Sequence, residues 1–169
     1  TELLKISVDE TKELLRKELE LKLRELGDNW HYSSLEKIFI EKRIYHDIEE
    51  CETWEDVIVT IDAGLKKYVA TPSDKAKAGD KRKKLLRDIT EEDIVRLTEI
   101  RIKRISKYNS FKADEYMNDL ESQIKQTKYD IEHLTEYAVS YFERLLEKYG
   151  KGKERKTIIT NIEQIQVQQ

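Results

Sequence analysis

The stretch SFKADEYMNDLESQIKQTKYDIEHLTEYAVSYFERLLEKY, residues 110–149, decides the fold. Along it Tyr116, Leu120, Ile124, Thr127, Ile131, Leu134, Ala138, Tyr141 and Leu145 step by fours and threes. An average step near 3.5 residues keeps one face of a helix turned toward a partner helix, which is the geometry of a coiled-coil seam. Charged residues such as Asp114, Asp119, Lys125, Lys128 and Glu132 fill the positions between. No Gly or Pro interrupts the run, so the sequence predicts one unbroken helix of roughly 60 Å at 1.5 Å per residue.

A helix about three times the usual globular length cannot bury its stripe alone. The beginning of the chain supplies a partner. Ser7 followed by Glu10 has the spacing of a capping box, and Leu15, Leu19, Leu23, Leu26 and Trp30 advance by four, four, three and four. Laying the two arms antiparallel buries both stripes and leaves the intervening residues to fold as a cap at one end. A compact four- or five-helix bundle uses the same heptad geometry and is the alternative. The length of the return arm favours the projecting rod.

Between the arms apolar residues become dense enough for a small core. Leu35, Ile38, Phe39, Ile44, Tyr45 and Ile48 continue the first arm with a wider apolar face. Thr53 with Asp56 marks a helix start, with Trp54, Val57, Ile58, Ile61 and Leu65 as its inward face. Thr71-Pro72-Ser73-Asp74 opens a polar stretch running through Gly79 to about Lys84. Thr90 with Asp93 opens a further helix, on which Ile94, Leu97, Ile100 and Ile105 point inward and Arg96, Arg101, Lys103 and Arg104 point out. Asn109 or Ser110 caps the return arm. The expected order is an outgoing arm over residues 1–32, a helical tip over 33–107, a returning arm over 108–150 and a basic, extended connector over 151–169. The fold class is all-α, a long antiparallel coiled coil capped by a small helical dimerisation tip.

Composition agrees with this and excludes much else. Of 169 residues 40% are charged and 38% apolar, with one Pro and five Gly, close to a long-helix protein and far from an all-β domain. A net charge of −3 offers no overall basic footprint for nucleic acid. A single cysteine, Cys51, rules out an internal disulfide and suits a reducing compartment. The apolar runs are too short to span a bilayer and no signal-peptide pattern opens the chain, so a cytoplasmic location and no membrane partner are expected.

Two segments carry a specific resemblance. SLEKIFIEKRIYHDIEEC (residues 34–51) and DITEEDIVRLTEIRIKRIS (residues 88–106) resemble the A subunit of bacterial type IIA topoisomerases. The topoisomerase IV A subunits of Bacteroidetes type are the nearer branch, and the gyrase A subunit is more distant. KYGKGKERKT (residues 148–157) is similar to the segment that closes the arm in that family, while Ile158 departs from its usual Glu. The resemblance implies a dimerisation and exit-gate module within a DNA topoisomerase, a C2 homodimer joined through its tip. It further implies that DNA and a B subunit partner the intact enzyme, with ATP and magnesium used through that B subunit. The family's nucleophilic tyrosine follows an arginine; this chain has nine tyrosines and none does. No Gly-rich phosphate loop occurs either. Hence no catalytic, cofactor-binding or metal residue is expected in the chain, and no cofactor of its own.

The arms satisfy their seams internally, whereas a tip of about 75 residues has a small core and leaves apolar surface. Ile44, Tyr45, Ile48, Ile94, Leu97 and Arg101 are the expected interface residues. The expected seam consists of Leu15, Leu19, Leu23, Leu26, Leu120, Ile124, Ile131, Leu134 and Tyr141. The other reading is a free-standing coiled-coil scaffold that binds partner proteins through its tip. Asp130 with His133, and His46 with Glu49 and Glu50, have helical spacings seen in metal sites, but a di-metal bundle needs further carboxylates from facing helices. Both read as surface histidines. Cys51 lies in the acidic run Glu49-Glu50-Cys51-Glu52, a poor setting for a thiolate nucleophile. The basic residues Lys75, Lys77, Lys81, Arg82, Lys83, Lys84 and Arg87 read as a solvated loop, and the alternative that the resemblance implies is weak, salt-dependent contact with the departing duplex. Lys151, Lys153, Arg155 and Lys156 have the same two readings, with DNA nearer to them at the root of the arm.

Overall fold

A computed structural model describes residues 2–74, 82–154 and 156–157. Helix α1 (Glu2–Glu41) is 40 residues long and runs without a break from the outgoing arm into the tip. It passes straight through Ser7, whose carbonyl accepts from the Thr11 hydroxyl at 2.7 Å, so the Ser7–Glu10 spacing is helix interior and not a cap. Arg43 ends it by adopting a left-handed conformation (φ 53°), an uncommon state for a residue with a side chain. The turn leads into α2 (Ile44–Asp47) and then α3 (Trp54–Lys66).

The later start signals act where the sequence places them. The Thr53 hydroxyl accepts from the Asp56 amide at 3.2 Å at the head of α3. Thr90 and Asp93 form a reciprocal capping box at the head of α4 (Glu91–Thr98). Asn109 caps α6 (Ser110–Glu132) by accepting from the Lys112 amide at 3.3 Å. The expected single helix over residues 90–105 is instead two, because the chain leaves the helical conformation at Arg101 before α5 (Ile102–Ser106).

Two two-residue strands, β1 (Val69–Ala70) and β2 (Lys83–Lys84), pair in parallel across the polar stretch. The Lys83 amide donates to the Tyr68 carbonyl and the Leu85 amide to the Ala70 carbonyl, each at 3.0 Å. This pairing seats Val69 and Leu85 in the core of the tip beside Leu35, Phe39, Ile44, Ile61, Leu65, Ile94 and Leu97. Gly64 allows α3 to approach α2 closely, since a Cβ there would lie 3.1 Å from Ile44 Cγ2.

The return arm is antiparallel to α1. Ser110 donates to Glu41, Lys37 pairs with Asp114, and Trp30 donates to Glu121, so one partner's number rises as the other's falls by the same amount. The arm is not one helix: it breaks at His133 (φ −109°, ψ 44°) and resumes as α7 (Leu134–Tyr149). The His133 ring stacks on Tyr129 with centroids 4.0 Å apart, and its Nδ1 lies 3.0 Å from the Tyr129 carbonyl. Beyond the break Lys12 donates to Thr135 at 2.7 Å, a pairing four residues out of step with the register near the tip. The chain is thus all-α in class, an antiparallel coiled coil capped by a helical tip.

Candidate functional site: the helical tip

The tip is fixed to the arm by a charged cluster centred on the buried Asp93 and His31. Asp93, already engaged in the capping box, receives both terminal nitrogens of Arg87 at 2.7 and 2.9 Å. His31 on α1, wholly buried, places Nε2 3.3 Å from Asp93 Oδ2, and Arg87 reaches back to Asp28 of α1 at 3.2 Å. One carboxylate therefore starts α4 and ties it to α1. Burial pushes the Asp93 carboxyl up, but the Arg87 guanidinium and the Thr90 donors outweigh it and hold it at about 2. Burial and then the Arg87 charge lower the pKa of His31, against the opposing pull of Asp93. A second tie joins α5 to α1: Arg104 meets the buried Glu36 at 2.5 and 2.9 Å.

The expected interface residues divide into three groups. Ile44, Ile94 and Leu97 lie in the protomer's own core, at 2%, 3% and 0% exposure, because α2 and α4 turn these side chains onto Phe39, Ile61 and Leu65. Tyr45 and Ile48 are half-buried, and Arg101 is exposed. Trp54, expected to face inward, is 52% exposed. It rims a shallow apolar groove of about 200 Å³ with Tyr45, Ile48, Val57 and Ile100. Val59 and Ile102, also on the surface of the tip, are 66% and 83% exposed.

Along the seam Leu15, Leu19, Leu26 and Leu120 are buried, while Leu23, Ile124, Ile131, Leu134 and Tyr141 are half-buried. Met117 at 4% exposure takes the inward position expected of Tyr116, which is 50% exposed. Away from the tip apolar side chains come to the surface of the arms, with Leu3, Leu4 and Leu146 at 84%, 70% and 72%.

The basic residues of the polar stretch serve the fold where they are described. Arg82 donates to the Lys66 carbonyl and pairs with Asp74, Lys83 lies 4.9 Å above the Trp30 ring, and Arg87 belongs to the Asp93 cluster. Lys84 is exposed; Lys75, Lys77 and Lys81 lie outside the described residues. Of the later basic residues Lys151, Lys153 and Lys156 are exposed, while Arg155, Ile158 and the rest of the connector beyond it lie outside the described residues. His46 is exposed, with Nδ1 3.3 Å from Glu49. Among the described residues no group of three or more His, Cys, Asp and Glu side chains could hold a metal ion, and no helix is long and apolar enough to cross a membrane.

Two arms bound through a common seam, a tip locked onto α1 by Asp93 and Glu36, and an apolar groove at the far end define an antiparallel coiled-coil protein with a helical head. No family model matches the chain, and no solved structure matches it. It is similar to the A subunit of DNA topoisomerase 4 from Borreliella burgdorferi, with 26% identity over 161 residues. That alignment takes in 95% of this chain and 24% of the relative, so the chain spans about a quarter of the length of the curated relative it matches.

Proposed function

We propose that this chain is the dimerisation and exit-gate module of a type IIA topoisomerase A subunit, forming a C2 homodimer through its tip. The observation that carries this reading is the extent of the similarity, which runs over 95% of an arm–tip–arm chain and only 24% of the relative. In the intact enzyme the arms are rigid levers, and the paired tips close the passage through which a transported duplex leaves. The contact centres on the groove rimmed by Trp54, Tyr45 and Ile48, extended by Ile102 and Arg101, with Ile44, Ile94 and Leu97 supporting it from beneath. The partners of the whole enzyme are DNA and a B subunit, through which ATP and magnesium act. The chain alone has no strand-cleavage, relaxation or ATPase activity, since no tyrosine follows an arginine. Metal-dependent nicking that stays with the purified chain through several orthogonal columns would contradict this. The dimer is tested by light scattering on the Trp54→Glu/Ile102→Glu variant. Both side chains are largely exposed, so the protomer keeps its helical content while the mass falls from dimer to monomer.

A further inference from the structure

Beside the tip, α1, α5 and the start of α6 enclose a cleft of about 530 Å³. A second cavity of about 570 Å³ adjoins it, sharing Ser33, Glu36, Arg101, Arg104 and Tyr116, so the two form one continuous groove. Its walls carry Arg96, Arg101, Lys103, Arg104, Lys107 and Lys112 against only Glu36 and Glu99. Glu36 is consumed by Arg104, and Arg96 stacks 4.1 Å from the Tyr32 ring. Arg101, Lys103, Lys107 and Lys112 are exposed and have no ion-pair partner among the described residues. This local excess stands out in a chain whose net charge is −3.

The groove has an aromatic component. Tyr116, left half-exposed because Met117 takes the seam position, is common to both cavities. Tyr108 lines the first cavity, its hydroxyl pushed up to about 12 by burial and by Glu41 and Glu36, so it remains a neutral donor. Cations along a groove with an aromatic face between them suit a chain of phosphates carrying planar bases. A continuous groove formed by two such cavities fits one extended strand better than a single compact anion.

We propose that this groove binds a single strand of nucleic acid, with phosphates on Lys103, Lys107 and Lys112 and a base stacked on Tyr116. The proposal does not rest on the dimer or on membership of a topoisomerase: the groove lies within one protomer, and its three lysines and Tyr116 do not line the Trp54 groove, although Ile100 borders both. The probe is a fluorescein-labelled oligothymidylate of about 12 nucleotides, followed by anisotropy on the full chain. Binding should weaken as salt rises from about 50 to about 200 mM. The Lys103→Gln/Lys107→Gln/Lys112→Gln variant should lower affinity at least roughly tenfold and reduce the log–log salt slope by about 2, the loss expected for three phosphate contacts on a single strand. Tyr116→Ala should weaken the oligonucleotide roughly tenfold without changing the salt slope, since stacking is not an ionic contact. An arm control, Lys22→Gln/Lys125→Gln/Lys128→Gln, changes charge equally away from the groove and should bind as the unmodified chain does. Equal loss in the control and groove variants would overturn the proposal, as would unchanged binding in the groove variant. Competition by polyglutamate as effective as by unlabelled oligonucleotide, or binding of ATP without binding of the strand, would also overturn it.

Discussion

Asp93 shows how much can depend on one side chain. It caps α4, accepts a bidentate Arg87 and faces the buried His31, so Asp93→Ala removes a cap and leaves two partners uncompensated. Losses of that kind cost about 3–5 kcal/mol, and a urea midpoint should fall accordingly. The same cluster gives the fold a pH dependence. His31 has a lowered pKa when folded and titrates near 6.5 when unfolded, so the unfolded chain binds more protons below that value. Its contribution is fully present above 6.5 and is lost progressively as the pH falls below it. Asp93 acts lower: its contribution is present above 3.8 and disappears as the pH falls through about 2. Urea midpoints measured from about pH 7 to about pH 5 should decline, and His31→Gln should flatten that decline. A flat curve for the unmodified chain would show that His31 is not held neutral.

Among the elements, local chemistry was easy to read and tertiary placement was not. Thr53, Thr90 and Asn109 announce helix starts because a cap needs only a side-chain oxygen and an amide two or three residues on. The break at His133 has no Gly or Pro to signal it, and the His133 ring lies stacked over Tyr129 there. The β1–β2 pairing joins two segments of two residues each, too short for any alternation to reveal. Tyr116 and Met117 compete for one inward position, and a stepping pattern of threes and fours admits either. Trp54 is apolar enough to suggest the core, yet its place in the first turn of α3 sends it outward. These placements set the scale of seam mutations. Leu120, at 3% exposure, sits where the arms join the tip, so Leu120→Asp should cost roughly 3–5 kcal/mol. Leu134 is half-buried just past the break, and Leu134→Asp should cost less, about 1–2 kcal/mol, with loss of helix confined to the arms. Thermal melts followed by circular dichroism would rank the two. A larger loss at Leu134 would mean that the outer seam is packed more tightly than the inner one.

In the molecule as a whole the arms close on each other within one chain, and under the proposed function the tip joins two chains. The arms pair through α1 with α6 and α7, and the exposed apolar groove lies in the tip, at the opposite end from Glu2 and Tyr149. Sedimentation equilibrium at tens of micromolar on three chains tests this directly. The unmodified chain and Leu134→Asp should both sediment as dimers, the latter with reduced helical content. Trp54→Glu/Ile102→Glu should sediment as a monomer of unchanged helical content. A dimer abolished by Leu134→Asp but intact in the tip variant would contradict this division, because the seam would then lie between chains and not within one.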